Sequence, residues 1–76
     1  MDLINATFDK TTRATFTFQL EGGFIVDYTE FLNEKGKVTD AQVAGRNGTP
    51  MDGWLDEELI AKFEAFADEY YKENGI

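Results

Sequence analysis

The sequence predicts an α+β fold: an antiparallel β-meander of three to four strands with one C-terminal amphipathic helix packed on one face. Three observations carry this expectation. Ala14, Phe16, Phe18 and Leu20 alternate with Thr15, Thr17 and Gln19, the period of a half-buried strand. Glycine-bearing turns, Glu21-Gly22-Gly23 and Asn33-Glu34-Lys35-Gly36, punctuate the following segments at hairpin spacing. Beyond residue 54 the period changes, and Leu55, Leu59, Phe63, Phe66 and Tyr70 form one helical stripe flanked by Ile60 and Ala67.

Residues 3–8 form the first strand, with Ile4, Ala6 and Phe8 on one side, before a polar turn at Asp9-Lys10-Thr11-Thr12. The second strand is residues 13–20. A three-residue loop at Glu21–Gly23 sets Leu20 opposite Phe24, Phe18 opposite Val26 and Phe16 opposite Tyr28, which collects the large apolar side chains on one face. The third strand runs from about Phe24 to Leu32, where Phe31-Leu32 breaks the alternation as a bulge would. Gly36 supplies the left-handed position of the next turn, and residues 37–44 form a fourth, edge strand, with a short helix over 39–44 as the alternative. Gly45 to Gly53 reads as a loop. Within it, Thr49-Pro50-Met51-Asp52 has a helix-start pattern that Gly53 interrupts. The main helix is expected from near Trp54 to Glu73, stopped by Asn74-Gly75. The helix on one sheet face leaves Thr15, Thr17 and Gln19 to water on the other.

Composition bounds the chemistry. The 76 residues hold 15 acids and 7 bases, for a net charge of −8, and contain no cysteine, histidine or serine. A hydrophobic fraction of 42% with 14% aromatics is too apolar for a disordered acidic tail. One small domain over residues 1–76 is expected, held by an aromatic core rather than by disulfides or metal. The missing residues remove thiolate metal sites, an imidazole base and the serine nucleophile. No apolar run exceeds three residues, so neither a membrane span nor an export signal is expected, and the protein is placed in the cytoplasm. No nucleotide-binding glycine pattern occurs. No cofactor and no metal are expected, and the protein is read as not an enzyme.

The charge is concentrated. Residues 1–51 hold seven acids and five bases, for −2, whereas residues 52–76 hold eight acids and two bases, for −6. Asp56, Glu57 and Glu58 suit the first turn of a helix, and Glu58–Lys62 and Asp68–Lys72 have i,i+4 spacing. Glu57, Glu64 and Asp68 form a further row on the solvent side, with Ala61 where a lysine would have neutralised it. Their axial spacings, about 10 Å and 6 Å, are of the order of phosphate separations along a nucleic-acid strand. Glu30 and Asp40 are expected to oppose each other across the third and fourth strands, a weak candidate carboxylate pair.

The functional expectation is a non-enzymatic acidic protein-binding module. Its sharpest form is an inhibitor that imitates nucleic-acid phosphates on a basic surface of a nucleic-acid-binding protein. It contacts neither nucleic acid directly, since phosphate binding needs lysine and arginine, nor membrane. Glu57, Glu64 and Asp68 lead the candidate partner-binding residues, followed by Asp56, Glu69 and Glu73, with Trp54 as an interface anchor. Arg46-Asn47-Gly48 in the long loop is a further contact candidate. Tyr71 is expected off the core stripe and exposed. Small, acidic, cysteine-free α+β domains of this type are common among accessory proteins of phages and mobile elements. The alternative is an assembly protein that forms homo-oligomers through an exposed strand edge or the open sheet face.

Overall fold

The computed structural model describes residues 1–9, 13–45, 48, 50–51, 53 and 55–75. Among the described residues, four strands, β1 (Asp2–Asp9), β2 (Arg13–Gln19), β3 (Ile25–Leu32) and β4 (Val38–Gly45), precede one α-helix, α1 (Glu57–Glu73). The strands form one antiparallel sheet in the order β1-β2-β3-β4. This is the expected α+β meander with its C-terminal helix, and residues 38–45 are strand rather than helix. The Asp9–Thr12 turn lies largely outside the described residues.

The period-2 pattern of β2 decides the core. Ala14, Phe16 and Phe18 are completely buried, and the Phe16↔Tyr28 and Phe18↔Val26 pairs set β3 in the matching register. The Leu20 amide donates to the Phe24 carbonyl at 2.7 Å and the Gly23 amide to the Leu20 carbonyl at 3.1 Å, so Glu21–Gly23 is the three-residue loop. Gly22 and Gly23 both take positive φ there, which glycine adopts without steric cost. Phe24 departs from expectation: it follows the loop outside the helix's cover and remains 67% exposed.

From α1, Phe63 and Ala67 are buried, while Leu55, Leu59, Phe66, Tyr70 and Tyr71 pack around them. Phe63 stacks on Phe18 at a centroid distance of 4.9 Å, and Phe66 meets Phe18 edge-on at 5.3 Å. Each such pair contributes about 0.5–1.5 kcal/mol beyond area burial. The helix begins later than residue 54. Asp56 is its N-cap, accepting the Leu59 amide at 2.8 Å, which satisfies one orphan donor of the first turn. Pro50 does not start a helix either. It forms an antiparallel bridge with Ala44, and the Met51 amide donates to the Val43 carbonyl at 2.9 Å. Thr49, Asp52 and Trp54 are outside the described residues.

Two bulges depart from the expected pattern, one in the alternation of β1 and one in the β3–β4 register. Leu3 pairs with Phe18 and Asn5 with Thr17, so Ile4 is an extra residue and is exposed. Leu32 pairs with Val38 and Phe31 with Asp40, so Thr39 is extra on β4. Asn33 closes that hairpin: its side-chain oxygen accepts from the Lys35 and Lys37 amides at 2.9 and 3.0 Å, and Gly36 takes the positive φ.

Candidate functional site

Register governs the carboxylates of the sheet. The extra residue Thr39 places Ala41, not Asp40, opposite Glu30. Because side chains alternate between faces, Glu30 lies under the helix with Val26 and Tyr28, whereas Asp40 lies on the open face. The expected Glu30–Asp40 pair does not exist. Asp27, also on the open face, accepts from the Thr17 hydroxyl at 2.6 Å, and Thr15 and Thr29 share a hydrogen bond of 3.1 Å. That face is a polar, threonine-rich surface.

Glu30 is a buried acid, 3% exposed. The Tyr28 hydroxyl donates to one of its oxygens at 2.6 Å and the Tyr71 hydroxyl to the other at 2.7 Å. Both oxygens accept, the pattern of a carboxylate, and two phenolic donors replace the water it loses on burial. Both phenols are held well above their ordinary ionisation range. Burial is the largest cause, followed by the hydrogen bond to Glu30 and the Glu30 charge; then Glu64 acts on Tyr28 and Asp68 on Tyr71. The exposed position expected for Tyr71 is therefore corrected. It is half-buried, meets Phe8 and Phe16 edge-on at 6.5 and 6.2 Å, and ties the last turns of α1 to β3.

The same electrostatic coupling reaches two members of the carboxylate row. Glu57, Glu64 and Asp68 are exposed, and of the three Glu64 and Asp68 act on the two phenols that hold Glu30. Among the described residues none of the three is in an ion pair, and Glu58–Lys62 and Asp68–Lys72 do not close to ion-pair distance. Asp56, Glu69 and Glu73 are likewise exposed. Asp56 lies off the row and has a structural task as the helix cap. Trp54 and Arg46, the other contact candidates, lie outside the described residues.

Sequence reasoning missed the Tyr28–Glu30–Tyr71 cluster, although a signal was present. Glu30 shares parity with Val26 and Tyr28, and a carboxylate on the core face requires buried donors. No helix among the described residues is long and apolar enough to cross a membrane. No protein-family model matches the chain, and neither a curated protein nor a solved structure matches it.

Proposed function

We propose that this protein is a non-enzymatic binding module whose acidic helix flank occupies the basic surface of another protein. In its strongest form it inhibits a nucleic-acid-binding protein by imitating phosphates. The supporting observation is that Glu57, Glu64 and Asp68 stand exposed, and without ion pairs among the described residues, in one row on a helix fixed to the sheet. Mimicry of a repeating charge pattern needs carboxylates at set spacings. The helix supplies the spacing, and the Tyr71–Glu30 hydrogen bond with the Phe18–Phe63 stack holds the helix in place. The six net negative charges of residues 52–76 would steer a basic partner at long range.

A pull-down from host lysate tests this reading, with the parent and a Glu57→Gln/Glu64→Gln/Asp68→Asn variant as baits at low and high salt. Nucleic-acid-binding proteins retained by the parent, released by salt or by added duplex DNA, and lost with the variant support it. Equal retention by both baits contradicts it.

Self-assembly is the second reading, and the exposed side chains of β1 favour that edge for it. Residues 50–51 cover part of the outer edge of β4, whereas β1 is the opposite edge and carries exposed Leu3 and Ile4. A concentration-independent monomer in light scattering would remove this reading.

A further inference from the structure

Among the described residues, five large hydrophobic side chains are exposed: Met1, Leu3, Ile4, Phe24 and Val38. Four of them gather at one end of the sheet. Leu3 is opposite Phe18, which is opposite Val26, so β1 and Phe24 are separated by two strand spacings, about 10 Å. Two hollows flank the Leu20–Phe24 loop at this end. One, of about 410 Å³, is lined by Met1, Leu20 and Leu59 together with Glu21, Asp56, Glu58 and Lys62. The other, of about 280 Å³, is lined by Phe24, Ile25, Val26 and Met51 with Gly23 and Gly45. The rim of the first hollow is acidic: Glu21, Asp56 and Glu58 are exposed there, against one described side-chain cation, Lys62.

We infer that this apolar end is a docking surface for a basic amphipathic segment of a partner protein, with apolar side chains entering the two hollows and flanking lysines or arginines meeting the rim. Charge complementarity selects this occupant. An acidic or neutral apolar segment would leave the excess of carboxylates over Lys62 unmet, and a second copy of the same end would oppose acid to acid. The apolar width, about 10 Å, matches one helix or one extended strand. The inference rests on the reading of the chain as a protein-binding module, and it adds a surface whose apolar contacts do not involve Glu64 or Asp68.

The test uses a short amphipathic helical peptide of leucine and lysine as the probe. The controls are a leucine–glutamate peptide and a lysine–glutamine peptide without apolar residues. Amide chemical shifts of the full chain should move at residues 1–4, 20–25 and 55–59 with the leucine–lysine peptide, and should move little with either control. Phe24→Ser and Ile4→Ser replace exposed side chains, so melting temperatures should stay near the parent's while affinity falls about ten-fold or more. A Glu64→Gln/Asp68→Asn variant should bind the probe within about two-fold of the parent. Shifts confined to the α1 flank, or loss of binding in that variant but not in Phe24→Ser, would overturn the apolar-end proposal and leave the carboxylate row standing. Binding of the lysine–glutamine peptide as tight as that of the leucine–lysine one, no binding at all, or a dimer closed through residues 1–4 and 24 would also overturn it.

Discussion

The two ends of the helix–sheet pair are built on opposite plans. At the C-terminal end of α1, Tyr71 reaches Glu30 on β3 and Phe8 on β1, and Tyr70 meets Phe16 edge-on at 5.2 Å. At the N-terminal end the helix is capped by Asp56, and the nearby Leu3, Ile4 and Phe24 remain in water. One end converts aromatic and polar groups into fixed structure, and the other keeps apolar and acidic groups available. A small domain needs the first to hold its helix. The second is costly unless something covers it, which makes it the more informative end for function.

Phe63 lies between the two ends and supports both. Phe63→Ala should cost roughly 3–5 kcal/mol, a large share of the stability of so small a domain. A thermal melt followed by circular dichroism checks it, and a variant that melts with the parent would break the helix-on-sheet description. Tyr71→Phe isolates the closed end. It removes a hydrogen bond to a buried carboxylate and should cost about 1.5–3 kcal/mol. It should also change the pH dependence. Tyr28 and Tyr71 are held above the ordinary phenolic value of 10.0, so on raising the pH the unfolded chain loses these protons first. The stability they carry is intact below about pH 10 and falls above it. With one of the two phenols gone, Tyr71→Phe should lose stability less steeply between pH 9 and pH 11, read as denaturation midpoints. Equal slopes would mean that the Tyr71 phenol is not buried against Glu30 in solution.

How legible these features were in the sequence depends on whether one element or two determined them. Phe16 and Phe18 declared their face through β2 alone, and the Glu21–Gly23 loop then set the Phe16↔Tyr28 register. The start of α1 was harder to place. Thr49-Pro50 imitates a helix start, but Pro50 bridges Ala44 instead, a tertiary contact that no local pattern reports. Glu30 was misplaced because the extra residue Thr39 shifts every later β3–β4 pair by one, and one step of register exchanges the two faces. Tyr71 looked marginal on the helical projection because its reason for burial is a carboxylate 41 positions away. Of the candidate site, the exposure of Glu57, Glu64 and Asp68 was readable from periodicity. The action of Glu64 on Tyr28 and of Asp68 on Tyr71 was not, since it depends on how the helix lies across the sheet.

At the open end, Asp56→Ala should cost about 1 kcal/mol, the usual contribution of a helix cap. If the N-terminal turn frays, amide exchange should accelerate at residues 57–60 and remain unchanged at residues 68–72. Uniform acceleration along α1 would show that the two ends do not behave independently.

The smallest effect on stability belongs to the carboxylate row, and it carries the functional claim. Glu57→Gln/Glu64→Gln/Asp68→Asn should fold as the parent does, with a slight gain from removing the Glu64–Asp68 repulsion at i,i+4. Each exposed contact to a basic partner contributes only about 0.2–1 kcal/mol, so three substitutions are needed to register. The decisive measurement is the affinity of this variant and of the parent for a purified partner across a range of salt concentrations. The account predicts weaker binding, slower association and a shallower salt slope for the variant. Unchanged affinity with an unchanged slope would contradict it and reduce the acidic flank to a solubilising surface.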